Sequence, residues 1–386
     1  MQNFEFFNPV NVVFGKGQIQ NLNKLVPANT KIMLAYGGGS IFKNGVYDQV
    51  IAALPGFNLV EFGGIEPNPK YETLMKAVDI VKKDKIGFIL AVGGGSVLDG
   101  VKFIAAAALW EEGDPWNFLT NRRLTVTKAI PLGTVLTLPA TGSEMNGGSV
   151  VTRISSQEKL AFMSNAVLPR FSILDPTVVF SLPEKQVANG IVDAFVHVIE
   201  QYLTYPVNSP IQDRFAESIL ITLVEEGPKV LADRNDYDAA ANFMWAATMA
   251  LNGLIGAGVP QDWATHMIGH ELTAFHNIDH ARTLAIVLPG IMQVKRDNKR
   301  EKLLQLGERV WAINSGTADA RIDATIRKTV ECFESFGIPT KLSAYSIGAD
   351  FIPVVCNRFS DRGFNGVGER GDLTVEQIAE VLTLQL

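Results

Sequence analysis

Short apolar runs alternate with helical patterns over the first 180 residues of the chain. The apolar runs predict β-strands at residues 31–36, 59–62, 87–92 and 131–138. Strands that alternate with helices form βαβ units, in which the strands lie parallel in one sheet. We therefore predict an α/β domain over residues 1–180.

After residue 180 the apolar positions follow the period of an α-helix. The spacing of Ser181 and Glu184 is that of a capping box, which predicts a helix start here. The helices predicted beyond this point include residues 191–203, 211–226, 239–251, 263–275, 299–311, 321–336 and 374–384. A chain of 386 residues exceeds the roughly 250–300 that one core supports. Residues 181–386 are therefore predicted to form a second, helical domain.

Composition and charge exclude several classes of protein. Hydrophobic residues make up 47% of the chain and charged residues 19%, which is enough apolar surface to exclude a disordered protein. The net charge of -6 excludes nucleic acid or an anionic membrane surface as the main partner. The sequence has no apolar run of about 18 residues and no signal-peptide pattern at its start. With Cys332 and Cys356 as its only cysteines, it is predicted to be cytoplasmic, without membrane spans.

Two of the predicted strands lead directly into glycine-rich turns. The turns are Gly37-Gly38-Gly39-Ser40 and Gly93-Gly94-Gly95-Ser96, and a helical pattern follows each. Backbone amides at such a helix start can bind a phosphate, and glycine lets the phosphate approach closely. Neither turn matches the Gly-x-Gly-x-x-Gly fingerprint, so two tight turns without a ligand are the alternative. Two turns at equivalent strand ends favour a dinucleotide.

Residues near the two turns favour NADP(H). The first turn has no acidic residue for an adenosine 2′-hydroxyl, whereas Ser40 and Lys43 could bind a 2′-phosphate. Asp99 follows Ser96 by three residues. It could cap the helix or accept a hydrogen bond from a ribose or carboxamide group.

All the histidines lie between residues 197 and 280. They are His197, His266, His270, His276 and His280. Asp193 precedes His197 by four residues, and the other histidines form two pairs with the same spacing, which places each pair on one helical face. A carboxylate with several neutral imidazoles suits one divalent metal, Zn²⁺ or Fe²⁺. Spacing alone does not separate ligands from buried core histidines.

Phosphate-binding turns together with a metal site predict hydride transfer. A metal would polarise a carbonyl, a nicotinamide would give or take the hydride, and a free histidine could relay the proton. Two alternatives come from other classes. A metal-dependent phosphate-ester hydrolase would use the glycine turns for its substrate, and a binding-only sensor would need no metal.

Several segments carry a resemblance to a known family. They are Phe14-Gly15-Lys16-Gly17, Glu66-Pro67-Asn68-Pro69, Gly93-Gly94-Gly95-Ser96-Val97-Leu98-Asp99, Leu138-Pro139-Ala140-Thr141-Gly142-Ser143-Glu144 and Gly269-His270-Glu271-Leu272. On these segments the chain resembles the iron-dependent (group III) alcohol dehydrogenases, in the branch of NADPH-dependent broad-range aldehyde reductases and butanol dehydrogenases. The likeness extends over essentially the whole chain.

The resemblance implies both a fold and an activity. The fold is the dehydroquinate synthase-like or iron-type alcohol dehydrogenase architecture, with a Rossmann-like nucleotide-binding domain and an all-α C-terminal domain. The activity is hydride transfer between NADP(H) and short- to medium-chain aldehydes or alcohols, by a homodimer. A glycerol- or propanediol-type polyol dehydrogenase is the alternative within the same superfamily.

The resemblance also implies roles for individual residues in the second half of the chain. The implied metal ligands are Asp193, His197, His266 and His280. His270 matches an uncoordinated histidine near the nicotinamide, which makes it the candidate proton relay. His276 matches no ligand of the family.

Residues of the first half supply the implied cofactor site. The complete set of candidates is Gly37, Gly38, Ser40, Lys43, Asn68, Gly94, Gly95, Ser96, Asp99, Thr137, Leu138, Thr141, Asn146 and Lys159. Gly94, Gly95 and Ser96 would contact the pyrophosphate, with Asp99 at the nicotinamide end and Lys159 at its ribose. Many members of the family have an aspartate in place of Gly37, which favours NAD, so its absence favours NADP(H). Three aromatic residues are candidates for an apolar substrate pocket: Phe162, Trp263 and Phe275.

Overall fold

Parallel strands form the central sheet of one of two compact units. The computed structural model describes residues 1–121, 123–364 and 366–386. The first unit, called the sheet unit below, comprises Phe7–Pro183 and Asp233–Thr248. The strands are β1 Asn11–Phe14, β2 Lys31–Tyr36, β3 Asn58–Phe62, β4 Phe88–Gly94, β5 Leu132–Leu138, β6 Gly148–Arg153, β7 Glu158–Met163 and β8 Phe171–Leu174. Six of them form a sheet in the order β1-β8-β5-β4-β2-β3, and β6 and β7 pair separately as an antiparallel hairpin.

Strand β4 shows why the chain forms this kind of sheet. Its first six residues are all buried, as expected for a strand of a parallel sheet that is covered on both faces. Every neighbouring pair in the six-stranded sheet is parallel. The four predicted strands are observed as β2, β3, β4 and β5, with ends that shift by at most two residues.

Helices make up most of the remaining structure. They are α1 Leu22–Leu25, α2 Ser40–Lys43, α3 Val46–Ala53, α4 Tyr71–Asp84, α5 Gly95–Ala107, α6 Asn117–Thr120, α7 Glu184–Tyr202, α8 Pro210–Ala232, α9 Tyr237–Met249, α10 Ala264–His276, α11 His280–Val294, α12 Arg300–Arg309, α13 Ala318–Ser335, α14 Ile352–Asp361 and α15 Val375–Thr383. Within the described ranges, none of these helices combines the length and apolar composition needed to cross a bilayer.

The second unit, called the helical unit, comprises Met1–Phe6, Glu184–Ala232 and Met249–Leu386. One of its cores is built by α10, α11, α14 and α15, and includes Ile268, Ile286 and Val355, each fully buried. All seven predicted helices are observed, but α7 begins seven residues earlier than predicted, at Glu184. The predicted capping box is wrong. Ser181 is the last residue of a 3₁₀ turn, and its hydroxyl donates to the Val178 carbonyl at 3.0 Å instead of accepting from an amide of α7.

The fold class predicted from the sequence is confirmed: one unit is α/β with a parallel sheet, and the other is built from helices. Two segments belong to the unit that their position in the chain does not predict. Met1–Phe6 lies in the helical unit, and Asp233–Thr248, which contains most of α9, lies in the sheet unit. The division of the chain into domains at residues 180 and 181 stays a prediction. The two segments named above lie in the other unit from the one that this division would give them.

Candidate functional site

Both glycine turns lie at the carboxyl edge of the parallel sheet. Strands β2 and β4 are neighbours in the sheet. The strand that follows β2 in the chain, β3, lies on one side of this pair, and the strand that follows β4, β5, lies on the other side. Such a reversal is a topological switch point, where open α/β sheets bind ligands beyond the carboxyl ends of their strands. The turn at residues 37–40 follows β2, and the turn at residues 93–96 ends β4. The fold therefore brings both predicted phosphate-binding turns to one edge.

The second turn places a glycine before a long helix. Gly94 is the N-cap residue of α5 and has no side chain to cap its first amides, and the N-terminus of a helix carries a positive partial charge. A Cβ at Gly95 would lie 2.5 Å from Thr141 Cγ2, and a Cβ at Gly94 would lie 3.0 Å from Leu138 Cβ. The predicted groove residues Thr137, Leu138 and Thr141 thus lie at or just beyond the end of β5, next to this turn. This arrangement can hold a phosphate.

The first turn offers space and donors rather than an acidic side chain. Gly39 has a φ of 91°, in the left-handed region that favours glycine, and precedes α2. A Cβ at Gly38 would meet no atom of the described residues within 4 Å, whereas one at Gly37 would lie 3.2 Å from the Ile65 carbonyl oxygen. Ser40 and Lys43, at the two ends of α2, are exposed, as binding a phosphate from solvent requires.

Three predicted cofactor residues from distant segments of the chain form one hydrogen-bonded group. The backbone amide of Asn68 donates to Ser96 Oγ at 3.3 Å. The Lys159 ammonium group donates to Asn68 Oδ1 at 3.0 Å. The Lys159 side chain is buried, and Asn68 has a positive φ of 54°. The Pro-Asn-Pro element is therefore fixed beside the second glycine turn.

Asp99 has partners within the protein for both of its carboxylate oxygens. Oδ1 accepts from Ser143 Oγ at 2.6 Å, and Oδ2 accepts from the backbone amide of Val150 at 3.0 Å. Burial raises the pKa of Asp99, against the attraction of Lys102. These contacts hold the segment after β5 in place, and the predicted contact of Asp99 with the cofactor stays a prediction.

Lys102 lies at the centre of the same segment and was not predicted. Its ammonium group donates to Ser143 Oγ at 2.8 Å, Asn146 Oδ1 at 3.1 Å and the Gly148 carbonyl at 2.8 Å. Burial lowers the pKa of Lys102 to about 8. A single lysine within an otherwise apolar stretch of α5 is the signal that could have identified it.

In the helical unit, Asp193, His266 and His280 converge from α7, α10 and α11. One potential ligand atom from each residue lies within 4.8 Å of the other two. The distance from Asp193 Oδ1 to His280 Nε2 is 3.8 Å. Three helices that are separated in sequence therefore deliver one carboxylate and two imidazoles to the same point.

His197 extends this group. Its Nδ1 lies 3.9 Å from Asp193 Oδ1, and its ring centroid lies 4.8 Å from that of His266. Burial lowers the pKa of His197 to about 4, so its imidazole is neutral, as a metal ligand must be. Nδ1 of His197 is buried and makes no hydrogen bond within the described part of the chain. A buried nitrogen of this kind, with a carboxylate and two more imidazoles, fits a divalent metal.

The two remaining histidines differ in their distance from this group. The ring of His270 lies 5.2 Å from that of His280 and 6.4 Å from that of His266. His276 is exposed at the end of α10, where its ring contacts Phe351 at 4.3 Å between centroids. Its predicted pairing with His280 on one helical face is wrong, because α10 ends at His276 and a new helix begins at His280. Among the described residues, His270 is therefore adjacent to the cluster, and His276 belongs to a surface contact.

Glu200 contacts this group and was missed in the sequence. Its Oε1 accepts from the backbone amide of His266 at 3.0 Å and lies 3.1 Å from His266 Nδ1. Burial, with a contribution from Asp262, raises the pKa of Glu200. The spacing of Asp193, His197 and Glu200, four and then three residues, places all three on one face of α7 and could have revealed it.

The three predicted pocket aromatics have different surroundings. The ring of Trp263 lies 5.1 Å from that of His266 and 6.3 Å from that of His197. Phe162 packs on Phe118, with 4.8 Å between ring centroids, and Phe275 packs on Phe351, with 5.3 Å. Of these three residues, Trp263 is the one that the fold places beside the histidines.

Comparison with known sequences identifies the class of protein. Residues 9–176 match the family described as iron-containing alcohol dehydrogenase. Residues 187–385 match the C-terminal part of the Fe-containing alcohol dehydrogenase family. The chain belongs to the iron-containing alcohol dehydrogenase family.

Individual relatives narrow this class. The chain is 56% identical to the NADPH-dependent aldehyde reductase YqhD of Escherichia coli K12, over 97% of either chain. It is 40% identical to the probable NADH-dependent butanol dehydrogenase 1 of Bacillus subtilis, over 100% of both chains. The crystal structure of E. coli YqhD has a TM-score of 0.98 at 54% identity, and the match covers 100% of this chain and 99% of that one. The resemblance inferred from the sequence motifs is confirmed.

Proposed function

We propose that the protein is a metal-dependent oxidoreductase that transfers a hydride between NADP(H) and short- to medium-chain aldehydes or alcohols. The observation that carries this proposal is the convergence of Asp193, His266 and His280 in the helical unit, with His197 beside them. Membership of the iron-containing alcohol dehydrogenase family and the names of its relatives support the same chemistry.

The proposed metal ligands are Asp193, His197, His266 and His280. Their donor set suits either Zn²⁺ or Fe²⁺, and the name of the family favours iron. When bound, the metal would act as a Lewis acid that polarises an aldehyde carbonyl or lowers the pKa of an alcohol. The low pKa of His197 supports its role, because its imidazole needs no deprotonation before it binds.

The sheet unit would bind NADP(H) at the switch point between β2 and β4. The proposed cofactor residues are Gly37, Gly38, Ser40, Lys43, Asn68, Gly94, Gly95, Ser96, Asp99, Thr137, Leu138, Thr141, Asn146 and Lys159. The start of α5 suits the pyrophosphate, and Ser40 with Lys43 suits a 2′-phosphate. The E. coli relative is named NADPH-dependent, which supports NADP(H), whereas the B. subtilis relative is named NADH-dependent.

His270 is the proposed proton relay. Its ring lies beside that of His280, one of the proposed ligands, at 5.2 Å between centroids. An imidazole at this position could give a proton to the alkoxide formed from an aldehyde, or accept the proton of an alcohol.

A homodimer in the cytoplasm is proposed as the state of the protein. Strand β1 lies at the edge of the six-stranded sheet, and the exposed rings of Phe14 and Trp245 contact each other at 5.9 Å between centroids. An edge strand with exposed aromatic side chains beside it suits contact with a second copy of the chain. Cys332 and Cys356 are both free thiols, which fits a reducing compartment.

An aldehyde panel assayed after controlled metal loading tests this function. The purified protein is stripped of metal, reloaded with Zn²⁺ or Fe²⁺, and assayed with NADPH or NADH and a series of aldehydes. We expect consumption of NADPH with butyraldehyde, slower consumption of NADH, and loss of activity without metal. Full activity after a chelator has removed the metal would contradict the mechanism. Higher activity with glycerol or 1,3-propanediol would favour a polyol dehydrogenase instead.

Three variants connect the assay to the proposed residues. Asp193→Asn should abolish metal uptake, whereas His276→Ala, at an exposed histidine, should leave it unchanged. Lys43→Ala should raise the KM for NADPH about tenfold, since it removes a charge-assisted hydrogen bond to the 2′-phosphate, and should leave the KM for NADH unchanged. An equal effect on both cofactors would exclude Lys43 from the 2′-phosphate site.

A further inference from the structure

We propose that Glu200 is a positioning residue that holds the His266 imidazole in the tautomer and orientation required for metal binding. This inference rests on the proposed metal site. It concerns a carboxylate that does not itself belong to the proposed ligand set. The contacts of Glu200 with His266 carry the argument.

One oxygen of Glu200 contacts His266 twice. Oε1 accepts from the backbone amide of His266 at 3.0 Å and lies 3.1 Å from Nδ1 of the same residue. The Glu200 side chain is 2% exposed, so water does not compete for these contacts. Backbone and ring of His266 are thus tied to one atom, which fixes the rotation of the imidazole relative to α10.

The acceptor at Nδ1 also fixes the position of the ring proton. A neutral imidazole carries its proton on one nitrogen only, and a carboxylate oxygen beside Nδ1 keeps the proton there. The lone pair then resides on Nε2, which becomes the nitrogen able to bind a metal. A carboxylate that accepts from the second nitrogen of a ligand histidine is a common arrangement in metal sites.

The main chain around Glu200 reinforces this arrangement. The backbone amide of Asp262 donates to the Glu200 carbonyl oxygen at 2.8 Å, just before α10 begins. Lys299 in turn donates to Asp262 Oδ2 at 2.6 Å. The start of α10 is therefore fastened to α7 by both the side chain and the main chain of Glu200. Since α7 also supplies Asp193 and His197, the proposed ligands on the two helices are kept in register.

A purely structural role is the competing explanation. His266 is the third residue of α10, so Glu200 also satisfies one of the free amides at the start of this helix. A residue that only caps the helix would affect the free energy of unfolding and leave metal affinity unchanged. Metal affinity and the geometry of the bound metal therefore separate the two roles.

The experiment measures metal binding directly in the full-length protein. Dissociation constants for Zn²⁺ are determined by competition with a chromogenic chelator, and the visible absorption spectrum of the Co²⁺-loaded protein reports the coordination geometry. The variants are Glu200→Leu, which removes the acceptor, and Glu200→Gln, which keeps one acceptor oxygen without the charge. The matched control is Glu217→Gln, a buried carboxylate of α8 that accepts from Tyr202 Oη at 2.9 Å and Arg309 Nη1 at 2.9 Å.

We expect Glu200→Leu to weaken Zn²⁺ binding by up to about 100-fold and Glu200→Gln by about 10-fold, the range measured for partners of ligand histidines. The Co²⁺ spectrum should change in both variants, and Glu217→Gln should match the wild type in both measurements. If Glu200→Leu does not fold, Glu200→Gln carries the test alone.

Two negative results have different meanings. Wild-type affinity and an unchanged Co²⁺ spectrum in the Glu200 variants would overturn the positioning role and leave the proposed function standing. A wild-type protein that binds neither Zn²⁺ nor Co²⁺ would overturn the metal site itself, and the role of Glu200 with it.

Discussion

The sheet unit and the helical unit each contain a deeply buried lysine, and the surroundings of the two differ. Lys102 is fully buried, and its ammonium group donates to a hydroxyl, an amide oxygen and a backbone carbonyl, all of them uncharged. Lys299 is 2% exposed and donates to two carboxylates, Asp262 at 2.6 Å and Glu369 at 2.9 Å. The two lysines are buried to a similar degree, but the charge of Lys299 is compensated by carboxylates in direct contact and that of Lys102 by neutral acceptors.

This difference reverses the direction of the pKa shift. Burial lowers the pKa of Lys102 to about 8, because Asp99 and Glu144 only partly offset the loss of hydration. Burial also acts to lower the pKa of Lys299, but contact with Asp262 and Glu369 outweighs it and raises the pKa overall. Carboxylates in direct contact, rather than depth of burial, therefore decide how firmly a buried lysine holds its proton.

The largest effect is expected when Lys299 is removed. Lys299→Met leaves Asp262 and Glu369 buried beside each other without a cation, so the free energy of unfolding should fall by about 3–5 kcal/mol. Urea denaturation followed by circular dichroism measures this change. The control is Lys328→Met at an exposed lysine of α13, where a change within about 0.5 kcal/mol is expected. If Lys299→Met lowers the free energy of unfolding no more than Lys328→Met does, the carboxylates around Lys299 do not need its charge, and the two buried lysines do not differ as described.

A smaller effect is expected from the matching substitution in the sheet unit. Lys102→Met leaves three acceptors without their donor, at a cost of about 1–3 kcal/mol, and also removes the cost of burying a poorly compensated charge. The same urea titration checks it. A loss as large as that for Lys299→Met would show that the two lysines are equivalent and would break the comparison.

The pH dependence of stability should separate the two lysines between pH 8 and pH 10.5. Between pH 8 and the ordinary lysine pKa of 10.5, the unfolded chain binds a proton at Lys102 that the folded chain has released. Stability contributed by this group therefore rises with pH. Lys299, with its raised pKa, contributes stability that is present throughout this window and is lost only at higher pH.

The measurement is the free energy of unfolding of the wild type minus that of Lys102→Met, at pH 8 and pH 9.5. This difference should rise by about 1.5 kcal/mol, as expected for a group whose pKa drops from 10.5 to about 8 on folding. Lys299 itself should add no such rise, because its raised pKa keeps it protonated in the folded chain throughout this window. A fall with rising pH at Lys102 would mean that its pKa is raised after all.

Some features of the two units could be predicted from the sequence, and others could not. Strand β4 and the helix after it are predictable because a continuous apolar run followed by glycines has few other folds available. His197, His266 and His280 stand out because of their spacing and the family resemblance. These signals are local, or are carried by motifs whose residues lie close together in the chain.

The residues that were missed act through contacts distant in sequence. Lys102 has partners 41–46 residues away, and Glu200 meets His266 across 66 residues. Lys299 contacts Glu369 across 70 residues, although it lies in the charged run of residues 295–302, a pattern that predicts a solvated helix start. Burial of a charged group depends on which helices meet in three dimensions, so local periodicity cannot indicate it.

The smallest effect is expected for Ser143→Ala, which tests how the charge of Lys102 is compensated. Ser143 Oγ accepts from Lys102 at 2.8 Å and donates to Asp99 Oδ1 at 2.6 Å, so a neutral hydroxyl connects the cation to the carboxylate. Ser143→Ala should lower the free energy of unfolding by about 1 kcal/mol, the net value of such hydrogen bonds. In the Lys102→Met background the cost should be smaller by at least about 0.5 kcal/mol, because the two groups share one network. Strict additivity in this double-mutant cycle would show that Ser143 does not connect Lys102 to Asp99, and that the compensation around Lys102 comes from uncoupled acceptors.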